Sequence, residues 1–184
     1  MLLIGFSVLS MTEFIMMKLL CGWVLLLTFT VLFTACSSTT PTGTWRDPEF
    51  PGKIHKVYIV GVTSKDISRY QFEDAVSHEL QTRGVTAIPS YREGDFPVDL
   101  DEQKIADHAF ANGADTMLVA RVLGNYIGQT DYKIVALEVI LYETKTGNPI
   151  WSSKFETVLD RRYELLFSDF AKAVANDLQK YNLL

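Results

Sequence analysis

The chain contains very little cysteine. Its 184 residues include two cysteines, Cys21 and Cys36, and both stand near the start of the sequence. No residue after Cys36 can therefore take part in an internal disulfide, even in a compartment that would permit one. The rest of the chain is long enough for one ordinary domain with its own hydrophobic core. We expect that domain to be held together by packing alone.

An excess of basic residues is also absent. Lys and Arg together number 17 against 22 Asp and Glu, which gives a formal net charge of −5. Proteins that bind nucleic acid carry clustered Lys and Arg. The composition therefore argues against a nucleic-acid partner.

Catalytic and metal-binding motifs are lacking as well. The three histidines, His55, His78 and His108, are scattered, and no cysteine or carboxylate accompanies them at metal-ligand spacing. No Gly-x-Ser-x-Gly nucleophile elbow is found. The sequence therefore predicts neither an enzyme, nor a metal site, nor a bound cofactor.

One acidic stretch is the densest charge feature of the chain. It consists of Glu93, Asp95, Asp99, Asp101 and Glu102. Carboxylate oxygens in such a loop could hold a divalent cation, but the spacing fits no EF-hand. We favour a solvated loop whose last acids stabilise the N-terminus of a following helix.

The chain does contain a long apolar run near its start. Leu19 to Ala35 spans 17 residues without a charge and follows Lys18. A basic start, an apolar middle and small residues before a cleavage point are typical of a secretory signal peptide. Cys36, directly after Ala35, resembles the lipobox cysteine of bacterial lipoproteins, although Phe33 stands where Leu is usual. The resemblance implies cleavage between Ala35 and Cys36, diacylglycerol on the Cys36 thiol and an acylated new N-terminus.

Two alternatives stay open for this segment: an uncleaved membrane anchor, for which 17 residues is the lower limit, and a chance cysteine. Glu13 fits a signal peptide poorly, so translation from Met16 or Met17 would give a tidier one.

The predicted organisation is a signal peptide over residues 1–35, of which 1–15 are a mis-assigned start. A lipidated Cys36 with a flexible tether follows over 36–49, and a single periplasmic α/β domain over 50–184.

The tether prediction rests on Ser37–Thr44, which carries no large apolar side chain. Such a segment is typical of a flexible linker. Eight residues reach at most about 26–29 Å, so the domain is expected near its membrane. Ser37 after the cysteine, rather than Asp, resembles lipoproteins sorted to the outer membrane and facing the periplasm.

Hydrophobic periodicity predicts alternating strands and helices. The strands are expected at His55–Thr63, Val85–Tyr91, Thr116–Val122 and Lys133–Glu143, and in a last segment with Trp151 and Phe155 on one face. The helices are expected from a capping box at Ser68 and Gln71 to Gly84, from Asp99 or Glu102 to Gly113, and over Phe167–Tyr181. The predicted fold is an α/β (α+β) sandwich with a mixed sheet of about five strands and about three helices. Its order is strand-helix-strand-helix-strand-strand-strand-helix, with parallel crossovers first and an antiparallel meander last.

Three segments resemble the periplasmic module of the TolB amino-terminal domain, the curli-secretion lipoprotein and the penicillin-binding-protein activator lipoprotein. They are the opening strand Lys56–Val62, the Gly-Ala-Asp junction in Gly113–Val119 and the Thr-Gly hairpin in Leu141–Gly147. The similarity covers roughly residues 53–184 and specifies fold better than function. The chain also resembles small uncharacterised bacterial lipoproteins that open with Thr-x-Trp-x-Asp-Pro, here Thr44–Pro48.

The candidate partner-binding residues are Trp45, Arg46 and Asp47. An aromatic residue beside a charge pair, just beyond an anchor, could dock a partner. It could equally pack back on the domain. Three tyrosines could either belong to the core or form a face that binds a partner: Tyr126, Tyr132 and Tyr142. The pair Arg161-Arg162 could either contact anionic lipid headgroups or be solvated.

The function predicted from the sequence is a lipid-anchored periplasmic module that docks another envelope protein or glycan without catalysing a reaction. The alternative is a domain that senses a small molecule or envelope stress through a pocket beside the sheet.

Overall fold

The fold is one mixed sheet packed by helices on both faces. The computed structural model describes residues 39–63, 66–93, 102–127, 133–159 and 163–184. Its strands are β1 (Thr39–Arg46), β2 (Lys56–Val62), β3 (Thr86–Pro89), β4 (Thr116–Ile127), β5 (Lys133–Glu143) and β6 (Pro149–Leu159). Its helices are α1 (Asp66–Thr82), α2 (Glu102–Ala111) and α3 (Tyr163–Lys180), with a 3₁₀ turn at Ser90–Glu93.

The strands lie in the order β1-β6-β5-β4-β2-β3. β2 pairs in parallel with both β3 and β4. The remaining pairs, β4 with β5, β5 with β6 and β6 with β1, are antiparallel. The predicted fold class, the two parallel crossovers and the final meander are therefore confirmed. The sheet has six strands rather than about five.

Helices α1 and α3 cover one face of the sheet. Their apolar stripes, which include Val76 and Leu80 of α1 and Phe170 and Val174 of α3, pack against Trp151 and the other inward side chains. Helix α2 covers only part of the opposite face. Its buried residues pack on a smaller cluster of β2, β4 and β5 side chains: Tyr58, Val60, Met117, Val119 and Tyr142.

Strand β1 corrects the prediction of a flexible tether. Residues 39–44 are not a linker, because Thr39–Arg46 pairs antiparallel with β6 along the edge of the sheet. The Thr39 hydroxyl lies 2.8 Å from that of Thr157. Thr44 donates to the buried carboxylate of Asp177 in α3 at 2.9 Å. β-branched threonines suit a strand, and distant partners satisfy their hydroxyls here.

The helix boundaries follow the predicted signals with one exception. Gly84 and Gly113 have φ of +85° and +70°, and each follows the end of a helix as predicted. Helix α1 begins at Asp66, so the predicted capping box at Ser68 is wrong, and Ser68 lies within the first turn. Strand β4 extends to Ile127, beyond the predicted end at Val122. Among the described residues, no helix is both long and apolar enough to cross a membrane.

Candidate functional site

One half of the sheet carries no described helix on its second face. Side chains alternate along β6, so Trp151 and Phe155 face the helices while Ser152, Lys154 and Glu156 point away, as predicted. The register places Trp45 of β1 opposite Ser152, and Glu138 of β5 opposite Lys154. We call the surface formed by Trp45, Glu138, Ser152, Lys154 and Glu156 the open face.

Charges of alternating sign cross the open face. Arg121 of β4 stands opposite Glu138, and Glu138 stands opposite Lys154. Opposite charges on directly paired strands stabilise a sheet by about 0.2–1 kcal/mol for each pair. The same row fixes a positive and negative pattern that a partner surface must match.

Trp45 is the large apolar group of the open face. Its side chain is 48% exposed although it lies within a strand. Trp151, on the opposite face of the sheet, is fully buried. The difference arises because Trp151 lies on the face that α1 and α3 cover, whereas Trp45 lies on an edge strand and on the opposite face.

Arg46 and Asp47 do not join Trp45 in one surface. Arg46 pairs with Trp151, and its Nη2 donates to the Phe50 carbonyl at 2.9 Å. The Asp47 carboxylate accepts from the Glu49 amide at 2.9 Å. Both side chains therefore shape the connection between β1 and β2. Of the three candidates, Trp45 is left for a partner, and its contact stays a prediction.

The histidines lie apart from one another. His55 is 3.2 Å from the Asp115 carboxylate, His78 is exposed on α1, and the ring of His108 packs edge-on against Tyr58. Among the described residues, no group of three His, Cys, Asp or Glu side chains is placed to hold a metal ion. Asp95, Asp99 and Asp101 of the acidic stretch lie outside the described residues, as do Cys36, Tyr132 and Arg161-Arg162.

Two of the predicted motif segments meet at the end of the sheet where β2 and β4 begin. The Asp115 carboxylate accepts from the amides of His55 and Lys56, which joins the start of β2 to the start of β4. Thr144 donates its hydroxyl to the Ala114 carbonyl at 2.7 Å, and its amide to the Asp115 carbonyl. The Gly-Ala-Asp junction and the Thr-Gly hairpin are thus parts of one structural joint.

A buried polar cluster is the feature that sequence reasoning missed. Glu73 of α1 is fully buried, and its Oε1 accepts from the Gly61 amide, Arg69 Nε and Ser90 Oγ at 2.8–3.0 Å. Its Oε2 accepts from the Tyr91 amide at 3.0 Å. The four donors come from three elements: β2, α1 and the 3₁₀ turn. The cluster therefore fixes the end of β2 and the 3₁₀ turn to α1.

The cluster also affects its neighbour Tyr58. Burial raises the pKa of the Tyr58 hydroxyl above its usual range, and the negative charges of Glu73 and Glu93 raise it further. The i,i+4 spacing of Arg69 and Glu73 was the only trace of this cluster in the sequence. Four donors satisfy the Glu73 carboxylate, so the cluster stabilises the fold.

Comparison with solved structures finds bacterial proteins that are similar to this chain at low sequence identity. The PelC dodecamer from Paraburkholderia phytofirmans aligns with a TM-score of 0.52 and 15% identity, covering 77% of this chain and 97% of that one. Lipoprotein GNA1162 from Neisseria meningitidis gives 0.44 and 14%, covering 68% and 99%. The C-terminal domain of LpoB from Salmonella enterica gives 0.41 and 17%, covering 61% and 87%.

The comparison extends to the fold and no further. Of these three structures, PelC has a TM-score high enough to support a shared fold, and at 15% identity it carries no activity across. No protein-family model matches the chain. A search of curated proteins finds no match either.

Proposed function

We propose that this chain is a lipid-anchored lipoprotein of the bacterial cell envelope that docks another envelope component without catalysing a reaction. Lipid on Cys36 would hold the domain at the outer membrane, facing the periplasm. The open face would bind the partner, a protein or a glycan. The mechanism is positional, because anchoring restricts the partner to a thin layer beside the membrane.

The observation that carries the proposal is the exposure of Trp45. A tryptophan at the centre of an interface supplies a large buried area and often dominates the binding energy. Trp45 is 48% exposed and lies on a strand that three hydroxyl contacts hold against the body of the domain. A rigid aromatic group loses little conformational freedom on binding, which favours affinity.

The row of charged residues beside Trp45 also supports the docking of a partner on the open face. Glu138, Lys154 and Arg121 alternate in sign across three strands. Such a row contributes more to the orientation of a partner than to affinity. Trp45 would anchor the partner, and the charges would select its register.

One other occupant of the open face and one other function are compared with this proposal. The PelC structure of similar fold is a dodecamer, so a second copy of this chain is one candidate occupant of the open face. The alternative function, sensing a small molecule or envelope stress, needs a ligand pocket rather than an exposed aromatic group.

Co-purification from envelopes tests the proposal. The four chains to compare are the wild type, Cys36→Ala, Trp45→Ala and Phe110→Ala. Phe110 is the matched control, because it is 62% exposed and lies on α2. Detection uses an antibody, because Leu183 is fully buried and a C-terminal tag could disturb it.

We expect the wild type and Phe110→Ala to retain one envelope component that Trp45→Ala loses, and the wild type, unlike Cys36→Ala, to be cleaved and lipidated. Retention of that component by Trp45→Ala would overturn the docking site. A wild-type chain that is membrane-bound and unprocessed just as Cys36→Ala is would overturn the lipoprotein assignment. If the component is the chain itself, the module assembles with its own copies. If only a small molecule is retained, the sensing function replaces docking.

A further inference from the structure

The folded domain starts almost at the predicted lipid attachment site. Strand β1 begins at Thr39, three residues after Cys36. Three residues span at most about 10–11 Å, which is far less than the tether expected from the sequence. A lipid on Cys36 therefore holds the beginning of β1 close to the membrane surface. The position of the first residues of β1, rather than the length of a flexible linker, therefore determines which part of the domain lies nearest the lipid.

The strand register identifies that part of the domain. Thr39 pairs with Thr157 of β6, Thr157 with Val135 of β5, and Val135 with Asn125 of β4. The beginnings of β1 and β5 and the ends of β4 and β6 thus form one end of the sheet. We call it the proximal end. Trp45 lies six residues further along β1, about 20 Å away from it.

Exposed apolar side chains concentrate at the proximal end. Val158 follows Thr157 directly and is 37% exposed. Val122 and Leu123 are 51% and 52% exposed, although both belong to a strand. A bulge between Val122 and Gly124 leaves Leu123 without a cross-strand partner, whereas Val122 pairs with Leu137 and lies on the face toward α1 and α3. Leu123 precedes Asn125 by two residues, about 7 Å along β4.

We propose that the proximal end rests against the lipid surface, with Leu123 and Val158 in the interfacial layer. This inference relies on the lipid anchor of the proposed function and adds an orientation to it. The two side chains come from β4 and β6, which β5 separates in the sheet. They lie within reach of the level at which the acyl chains of Cys36 enter the bilayer. Apolar groups held at that level gain by leaving water.

The orientation explains how docking and anchoring coexist. The strands run away from the membrane, so Trp45 stands about 20 Å beyond Thr39 and clear of the headgroups. The open face then points sideways into the periplasm. A partner can reach it without displacing lipid.

The test measures the depth of single fluorescent labels in vesicles. The mature lipidated chain has no free thiol, because Cys21 is removed with the signal peptide and Cys36 is acylated. One introduced cysteine therefore takes the label uniquely. The variants are Leu123→Cys and Val158→Cys, with Phe110→Cys as control, since Phe110 lies beside the beginning of β4 at the opposite end of the sheet.

Each labelled chain is placed in vesicles of phosphatidylethanolamine and phosphatidylglycerol that contain a nitroxide lipid as quencher. Flotation is checked first. We expect all three chains to float, and the labels at Leu123 and Val158 to be quenched several-fold more than the label at Phe110. Floating with equal quenching would overturn the orientation and leave the anchor intact. Failure to float would contradict the anchor itself, and the orientation with it.

Discussion

Replacing Glu73 with glutamine should unfold the domain far more readily than any surface exchange of the same kind. Glu73 is fully buried and accepts four hydrogen bonds, and the side chain of its partner Arg69 is 8% exposed. Glu73→Gln keeps the size but removes the charge, and it turns one acceptor into a donor. Arg69 is left as a buried charge without its counter-ion. Breaking a buried pair in this way costs about 3–5 kcal/mol.

The same helix provides a matched control. Glu79 and Arg83 form an i,i+4 pair at 2.8 Å, with both side chains 19% exposed. Glu79→Gln should cost less than about 1 kcal/mol, because solvent screens the pair. A domain of this size loses about 2–4 °C in Tm per kcal/mol, so Glu73→Gln should lower Tm by about 6–20 °C.

Urea unfolding followed by circular dichroism measures both free energies of unfolding. We expect a large loss for the buried pair and a much smaller loss for the partly buried pair Glu79–Arg83. Equal losses in the two variants would refute the claim that the buried cluster fixes β2 and the 3₁₀ turn to α1.

Three further perturbations test the local structure. Thr44→Val removes the hydroxyl donor from a buried carboxylate of α3 and should cost about 1–3 kcal/mol in urea unfolding. Thr42→Val, on the exposed side of the same strand, should stay within about 0.5 kcal/mol. Because the pKa of Tyr58 is raised in the folded state, its contribution to stability is complete below about pH 10 and is lost as pH rises beyond that value. Tyr58→Phe should flatten this alkaline loss in unfolding measured across that range. Gly84→Ala should cost about 1–2 kcal/mol because φ is +85°, whereas Gly124→Ala, with open space around it, should be near neutral by thermal unfolding.

Elements with a strong local pattern were predictable from the sequence. The continuous apolar run of β5 gave its bounds, Lys133–Glu143, as the structure has them. The alternation around Trp151 and Phe155 gave the correct faces of β6. Each pattern reports the burial of the residues that compose it, so no distant information was needed.

Strand β1 was missed because its stabilising partners are remote. Thr39–Arg46 has no large apolar side chain before Trp45, so its local pattern is that of a linker. The hydroxyl partners of Thr39 and Thr44 lie 109–133 residues further along the chain. Only the tertiary fold brings these groups together. The lipobox prediction at Cys36 falls outside the described residues and stays a prediction.

The buried cluster was missed for a different reason. Arg69–Glu73 and the reversed pair Glu79–Arg83 both show the i,i+4 spacing of an exposed helical ion pair. The first is buried because the turn after β3 packs over it and Ser90 joins the network. The spacing of the charged residues alone does not predict which of the two ion pairs is buried in the fold. For the same reason, residue type alone could not predict that Trp45 is exposed while Trp151 is buried.

Photocrosslinking in living cells tests the docking account most directly. A photoreactive amino acid is placed at Lys154 on the open face, or at Lys172, which is exposed on α3 across the sheet. The account predicts one discrete adduct from position 154, absent from position 172 and lost when Cys36→Ala removes the lipid attachment site. Equal adducts from both positions, or none from position 154, would contradict docking through the open face.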